Sequence, residues 1–143
     1  MRVFTSKEEL PVKKEGKKYC FLAGSIDFKV TNSWRDKVIE KSSEKTVFFD
    51  PTRKDHDLLS EEEMKSHIIW ELKALELADF IILNFFPDAK SPISLVELGL
   101  YMKSNKLIVV CPKEFYQYRY LNTICCKYST PIYYNLHDIF KYV

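Results

Sequence analysis

Four runs of consecutive apolar residues constrain the fold of this chain more than any other feature. They are KYCFLA (18–23), TVFFDP (46–51), FIILNFF (80–86) and KLIVVCP (106–112). Strands that are apolar without alternation are typical of a parallel sheet whose two faces are both covered. Because stretches with helical patterns separate these runs, the sequence predicts an α/β domain.

The intervals between the runs complete the prediction. Helical patterns occupy 33–42, about 60–78, the segment around Glu97 and 119–127, and a short strand at 131–134 and a terminal helix follow. Ser60 and Glu63 form a capping-box pattern at the start of the long helix. We therefore predict one doubly wound, flavodoxin-like domain with a five-stranded parallel sheet over residues 18–143, preceded by an N-terminal arm at 1–17.

Length and charge limit the classes of protein to which this chain can belong. The 143 residues suit one domain, and a formal net charge of +2 gives no reason to expect a nucleic-acid polymer as partner. No signal peptide is recognisable, and no apolar run reaches the roughly 18 residues that span a bilayer. We expect a cytoplasmic protein without a membrane partner.

The metal-binding residue types have no metal-site spacing. The four cysteines lack a CxxC pair, and the adjacent Cys125 and Cys126 are poor candidates for a disulfide or a tetrahedral site. The histidines, His56, His67 and His137, are interpreted as solvent-facing or capping residues. The sequence therefore predicts no metal and no cofactor.

Two glycines occupy informative positions. Gly24 follows the first apolar run, where glycine permits a tight turn or a close approach to a ligand. Gly99 lies inside a helical pattern, where glycine is costly. Close packing of that helix on the sheet would explain Gly99, and simple tolerance of the residue is the alternative.

Two acidic residues lie on apolar helix faces. Glu97 has Ile93 and Leu100 at helical spacing, and Glu71 shares a face with Ile68 and Leu75. The two predicted helices flank the run at 80–86, so both carboxylates could meet at one pocket, as retaining glycosidic chemistry requires. A salt bridge from each acid to a lysine or arginine is the structural alternative, and spacing does not decide between them.

Five segments in a fixed order resemble the nucleoside 2-deoxyribosyltransferase family. They are FLAGSI (21–26), FDPTR (49–53), WELKALELADFII (70–82), SPISLVELGLY (91–101) and KLIVVCP (106–112). The resemblance implies a flavodoxin-like fold, a homo-oligomer, and a nucleoside and a free nucleobase as small-molecule partners. It also implies that Glu97, in the ELG motif, is the nucleophile. Glu71 matches an acid that handles the proton of the base, although related enzymes have aspartate there.

The resemblance assigns further positions near the sugar. Gly24 and Ser25 match the loop that approaches it. Ser91 replaces an aspartate that holds a sugar hydroxyl, and a related branch that hydrolyses deoxynucleoside 5′-monophosphates has serine there, in contact with phosphate. Asp27 disagrees with that branch, which has a basic residue at this position, because an acid would repel phosphate. We therefore favour a nucleoside over a nucleotide.

Other residues are weaker candidates for substrate contact. Asp50 and Arg53 lie beyond the second run, at the ligand end of a parallel sheet, and pairing of Arg53 with Asp50 or Asp57 is the favoured alternative. Asn122 could reach the site of a neighbouring subunit. Three aromatic residues could stack on a base but are more often core or rim residues: Phe28, Trp34 and Trp70.

The resulting hypothesis is an enzyme that cleaves the N-glycosidic bond of a 2′-deoxynucleoside and transfers the sugar to another base through a covalent intermediate on Glu97. One alternative is a hydrolase of deoxynucleosides or deoxynucleoside 5′-monophosphates. The other is a non-catalytic nucleotide-binding module, against which the two poorly solvated acids argue.

Overall fold

A computed structural model describes residues 2–26 and 33–143 of the chain. Within this part the strands are β1 (Arg2–Thr5), β2 (Lys18–Gly24), β3 (Thr46–Asp50), β4 (Phe80–Asn84), β5 (Leu107–Val110) and β6 (Ile132–Tyr133). The α-helices are α1 (Trp34–Glu40), α2 (Glu61–Leu77), α3 (Pro92–Tyr101) and α4 (Tyr118–Lys127). The structure confirms the α/β class with a parallel sheet and is consistent with a flavodoxin-like fold.

The sheet has one strand more than the sequence predicts. Its order is β1-β3-β2-β4-β5-β6 and all its pairings are parallel. The additional strand β1 lies within the predicted arm and pairs with β3 at the sheet edge. It is four residues long, and Val3 and Phe4 pack on opposite faces of the sheet. So short a strand gives only a weak apolar pattern, and the lysine-rich sequence that follows it hides that pattern.

The helices cover both faces of the sheet, as the apolar strands require. On one face, α2, α3 and α4 contribute buried residues, including Ala74, Leu98 and Leu121, to one core cluster. On the other face, Val38 of α1 and Ile139 pack in a second cluster. Ile139 belongs to Leu136–Tyr142, a 3₁₀ segment where the sequence predicts a terminal helix, and another 3₁₀ turn spans His56–Leu58.

Side-chain caps define the starts of the first two helices. Ser33 caps α1, and Asp36 completes a capping box. The predicted box of Ser60 and Glu63 is confirmed at the start of α2. These caps satisfy backbone N–H groups that the first turn of a helix leaves without partners.

The chain changes direction across the sheet at β2. It moves from β2 to β3 on one side and then returns through α2 to β4 on the other side of β2. In open parallel sheets, such a switch point opens a crevice beyond the carboxyl ends of the strands. The residues that end β2 and follow β4 therefore border this crevice.

Gly24 is required at that point and Gly99 is not. Gly24 has φ +114°, and a Cβ atom there would lie 2.5 Å from the amide nitrogen of Asn84. No side chain can occupy that space without moving the neighbouring strand. A Cβ on Gly99 would have nothing within 4 Å, so the explanation by close helix–sheet packing is wrong and the glycine is simply tolerated.

Candidate active site

A network of hydrogen bonds fixes the turn after β2. The amide of Ser25 donates to the carbonyl of Asn84 over 2.8 Å, and the amide of Phe86 donates to Ser25 Oγ over 2.9 Å. Ser25 Oγ also lies 2.6 Å from Ser91 Oγ, at the start of α3. The ends of β2 and β4 are thereby joined, and the structure brings together Gly24, Ser25 and Ser91.

Two side chains of α1, which lies on the opposite face of the sheet from α2 and α3, form hydrogen bonds with the same turn after β2. Trp34 Nε1 donates to the carbonyl of Ser25 over 2.8 Å. The buried guanidinium of Arg35 donates to the carbonyls of Leu22, Gly24 and Ser25 over 3.1, 3.3 and 3.1 Å. Arg35 therefore orders the turn and places a positive charge behind the site.

The two candidate tryptophans do not present an open face to a base. Trp34 and Trp70 are buried, and Trp70 Nε1 donates to the carbonyl of Glu8. Phe28 lies outside the described residues, as does Asp27.

Glu97 is buried, and its carboxyl group is hard to ionise. It lies in α3 with 8% of its surface exposed. Burial, followed by the charge of Glu71, raises its pKa to about 8, whereas the charge of Arg35 lowers it. Loss of hydration therefore outweighs the favourable charge of the arginine.

The apolar helix faces that the sequence predicts around the two acids are only partly buried. Ile93, Leu100 and Ile68 are exposed, whereas Leu75, on the same face as Glu71, is buried. Helical spacing identifies residues on adjacent turns, but it does not say which side of the helix faces the sheet.

Ser91 precedes α3 in an unusual backbone conformation. Its φ of 51° and ψ of 52° place it in the left-handed region, and Pro92 follows as the first helical residue. A residue with a Cβ atom adopts this conformation at a cost of about 1 kcal/mol or more. Its side chain does not cap the helix and faces Ser25 Oγ instead.

Glu71 lies in the middle of α2, with 19% of its side chain exposed. Burial raises its pKa to about 7, opposed by the positive charges of His56 and Arg35. Because the charge of Glu71 contributes to the raised pKa of Glu97, the two carboxyl groups interact electrostatically. The structure thus places the two acids that the sequence singled out within electrostatic range of each other.

His67 is the residue that the sequence analysis misplaced. It is not solvent-facing but 3% exposed, one helical turn before Glu71. Its Nε2 lies 2.6 Å from Glu71 Oε1, and its Nδ1 lies 2.8 Å from Ser6 Oγ. The i, i+4 spacing of His67 and Glu71 is a signal that could have identified this contact.

The remaining candidates have local partners or none in the site. Arg53 forms a two-pronged ion pair with Asp55, at 2.9 and 2.8 Å, instead of pairing with Asp50 or Asp57 as predicted. Asp50 accepts from the amide of Thr52 over 2.9 Å and lies 3.7 Å from Arg35 Nε. Asn122 is half-buried on α4, and across residues 2–26 and 33–143 its side chain has no hydrogen-bond partner.

Two further properties concern only the residues that the structure describes. Among them, no three His, Cys, Asp or Glu side chains are grouped as a metal site. No helix in these residues combines the length and the apolar character needed to cross a membrane.

The arrangement defines a class of site: a parallel α/β domain with two interacting carboxyl groups near the switch point of the sheet. Such a pair can divide nucleophilic and acid–base roles, since raised pKa values keep one proton within the pair near neutral pH. The chain belongs to a family described as nucleoside 2-deoxyribosyltransferase like, which matches residues 17–115. The match extends from just before β2 to just beyond β5 and includes both acids. No curated protein matches the chain.

Proposed function

We propose that this protein transfers the deoxyribosyl group of a 2′-deoxynucleoside to another nucleobase, with Glu97 as nucleophile and Glu71 as acid and base. The electrostatic interaction between these two buried acids, in a chain of this family, is the observation that carries the proposal. A carboxylate that is poorly hydrated is a better nucleophile than one in water.

The proposed reaction has two balanced halves. In the first, a carboxylate oxygen of Glu97 bonds to the anomeric carbon, the bond from that carbon to the base breaks, and the protonated Glu71 gives its proton to the leaving base. In the second, a nitrogen of the acceptor base bonds to the anomeric carbon, the bond to Glu97 breaks, and the Glu71 carboxylate removes the proton of the acceptor. Each residue returns to its starting protonation state.

The free protein must hold one proton in the pair for this reaction to begin. Glu97 has to be ionised and Glu71 protonated, while their pKa values are raised to about 8 and about 7. The order of these values means that the reactive form is the less populated of the two singly protonated forms. Substrate binding could favour it because a sugar with developing positive charge stabilises the nearby Glu97 carboxylate.

The small-residue loop suits a sugar at this position. The turn at Gly24 and Ser25 packs closely on Asn84, and the hydroxyl groups of Ser25 and Ser91 lie 2.6 Å apart beside it. We propose that they contact the sugar, with Asp50 and Arg53 at the rim of the pocket. Asp27 and Asn122 stay proposals for substrate contact on the resemblance alone.

Hydrolysis is the second candidate function. Ser91 has a serine hydroxyl where transferases related to this chain have a carboxylate, and its position before α3 would suit a phosphate group better than an acid would. In this alternative, water replaces the acceptor base in the second half of the reaction.

Product analysis distinguishes these functions. The protein would be incubated with a panel of 2′-deoxynucleosides and deoxynucleoside 5′-monophosphates, with and without a second free base, and the products separated by chromatography. A new deoxynucleoside that forms only with the acceptor base supports transfer. Free base and free sugar without exchange support hydrolysis. Absence of both products, and of a sugar adduct on the protein by mass spectrometry, would refute the enzyme and favour a binding module.

We also propose that the protein forms a homo-oligomer through α2 and α3. Large apolar side chains are exposed on both helices: Ile68, Ile69, Leu72, Ile93, Val96 and Leu100. Several large apolar side chains exposed on one helix are typical of subunit contacts. A second copy that covers them would also exclude water from the helices that carry the two acids.

Light scattering after size-exclusion chromatography tests this contact. Leu100→Asp should reduce the molar mass to that of one chain, because it places a charge in the proposed interface. Tyr134→Asp is a matched control, since Tyr134 is also exposed but lies just after the edge strand β6 and on neither helix. An unchanged mass for Leu100→Asp, or a single-chain mass for the unaltered protein, would refute the contact.

A further inference from the structure

His56 lies on the loop that follows β3, at the same end of the sheet as the candidate site. It begins the 3₁₀ turn His56–Leu58, and 42% of its side chain is exposed. Its Nδ1 lies 3.5 Å from a carboxylate oxygen of Asp57. Across residues 2–26 and 33–143, no hydrogen bond reaches its Nε2. The imidazole therefore keeps one ring nitrogen available to a bound molecule.

Local contacts fix the loop that carries this imidazole. Arg53 forms its two-pronged ion pair with Asp55, at 2.9 and 2.8 Å, directly before His56. The amide of Leu58 donates to the carbonyl of Asp55 over 2.9 Å and closes the turn around the histidine. A side chain on an ordered loop loses less conformational freedom when it meets a ligand than one on a free loop. The fold thus sets the position of His56 before a substrate arrives.

One buried ring separates His56 from Glu71. The rings of His56 and His67 meet edge to face, with centroids 5.8 Å apart and planes at 82°. His67 Nε2 in turn lies 2.6 Å from Glu71 Oε1. In agreement with this spacing, the positive charge of His56 lowers the pKa of Glu71, although burial is the larger effect and raises it. Because a nucleobase is larger than an imidazole, a base bound to Glu71 extends far enough to meet His56.

The chemistry of an imidazole suits a nucleobase. Enzymes read a base by stacking on its face and by hydrogen bonds to its edge. Trp34 and Trp70 are buried and do not offer an open face for stacking. The half-exposed His56 has both features, since its ring is flat and its Nε2 donates or accepts according to the tautomer.

We propose that His56 is a specificity-determining residue that contacts the nucleobase beside Glu71. The inference rests on the proposed function for the place of the base and adds the loop after β3 to that site. Nε2 forms a hydrogen bond with the edge of the base while Glu71 exchanges the proton. Because the contact is made to the base alone, it affects the choice of base and leaves the attack of water on the sugar unchanged.

The first test measures binding without turnover. Glu97→Gln protein would be titrated with deoxyadenosine, deoxyinosine, deoxycytidine and thymidine, and the histidine ring signals followed by NMR. We expect the His56 signals to shift and saturate with at least one nucleoside, and to stay in place with 2-deoxyribose. Nucleoside binding by calorimetry that leaves the His56 signals unmoved would overturn the proposal, and so would absence of binding by all four nucleosides.

His137 is a matched internal control for these spectra. It also lies in a 3₁₀ segment, is exposed, and contacts the aspartate that follows it, with Nε2 3.1 Å from Asp138 Oδ1. A contact with the base should move the signals of His56 and leave those of His137 unchanged. Equal shifts of both histidines would reveal a general effect of the added nucleoside and would count against the proposal.

The second test measures base preference. For His56→Ala we expect the ratio of kcat/KM between the best and the poorest base to change about fivefold, the effect of one hydrogen bond. His56→Gln keeps an amide near the position of Nε2 and should restore much of the preference. His137→Ala should match the unaltered protein. Unchanged ratios in His56→Ala would refute the contact.

The outcomes separate this inference from the proposed function. If nucleosides shift the His56 signals but the unaltered protein forms no product, the proposed function fails and the base contact stands. If the protein exchanges bases while His56→Ala keeps the same base preference and the His56 signals do not move, the base contact is refuted and the proposed function stands.

Discussion

Two glutamates of the same helix have opposite electrostatic environments. Glu63 lies exposed in the first turn of α2, where its carboxylate accepts from the amide of Ser60 over 3.2 Å, and this contact lowers its pKa. Glu71 lies two turns further along, where burial raises its pKa to about 7. Helix α2 thus carries one structural acid, Glu63, whose ionised form is stabilised. It also carries one candidate catalytic acid, Glu71, whose neutral form is stabilised.

The difference arises from what each carboxyl group gains when water is removed. Glu63 keeps most of its hydration and adds a hydrogen bond. Asp55, in the loop before α2, behaves similarly, because the two-pronged contact with Arg53 lowers its pKa to about 2. Glu71 and Glu97 lose hydration without an equivalent donor in return, so their neutral forms are favoured. Local partners, more than residue type, therefore separate these two kinds of acid.

The largest expected effect is on the rate of Glu97→Gln. An amide cannot form the covalent bond to the sugar, so we expect kcat to fall at least about 10³-fold. The assay is base exchange followed by chromatography, with circular dichroism to verify the fold. Glu63→Gln, a matched change on an exposed acid, should leave the rate unaltered. Comparable rates for Glu97→Gln and the unaltered protein would exclude Glu97 as nucleophile.

Glu71→Gln should produce a smaller loss and change the pH dependence. We expect kcat to fall about 10²- to 10⁴-fold for bases that leave with a proton. In the unaltered protein, a plot of kcat/KM against pH should be bell-shaped. Its two limbs should reflect the pKa values of about 7 and about 8 that belong to the interacting pair.

In Glu71→Gln the limb on the alkaline side should disappear, because no acid remains to lose its proton. The limb on the acid side should move to lower pH, since the charge of Glu71 no longer raises the pKa of Glu97. A substrate whose base leaves without protonation should recover much of the rate. An unchanged bell in the variant would assign the limbs to other groups.

A third effect concerns stability. The pKa of Glu97 rises from 4.5 to about 8 on folding, so its neutral form is favoured in the folded state. The free energy of unfolding should therefore decrease as pH rises from about 4.5 to about 8. Glu97→Gln is neutral throughout and should be more stable than the unaltered protein at pH 8, by on the order of 2 kcal/mol. Urea unfolding at pH 5 and pH 8 measures the difference in the free energy of unfolding between the two proteins. This difference should be small at pH 5.

The smallest expected effect is the pH dependence of stability that arises from Glu63, which has the opposite sign to that from Glu97. Its pKa is lowered on folding, so its contribution to stability is present above the unfolded value of 4.5 and is lost as pH falls through the folded one. Glu63→Gln should therefore be slightly less stable than the unaltered protein at neutral pH and equal to it in strong acid. Thermal unfolding at pH 7 and pH 3 tests this. A gain in stability at pH 7 would contradict the comparison between the two acids.

The sequence predicts the parts of this structure that depend on short-range patterns. Continuous apolar runs identify β2 to β5, and the Ser60–Glu63 spacing identifies the start of α2, because both depend on neighbouring residues. The two acids follow from helical position together with the resemblance. Strand β1 was missed because four residues carry little pattern, and the exposure of Leu100 was missed because periodicity does not say which helix side faces the sheet.

The contacts that organise the site depend on distant residues and could not be read in this way. The carbonyl groups held by Arg35 belong to the end of β2 and to Ser25 just after it, and Ser6 is separated from His67 by the whole of β2, α1 and β3. Such contacts follow from the order of strands in the sheet. The i, i+4 pair of His67 and Glu71 is the exception, because it lies within one helix and was available to inspection.

The position of β1 has a consequence for how the nascent chain assembles during translation. β1 is an edge strand whose partner, β3, is made some forty residues later. Ser6 can reach His67 only after α2 has also been synthesised and has packed on the sheet. β1 therefore stays without its partner strand until β3 has been made, and the contact of Ser6 with α2 forms later still.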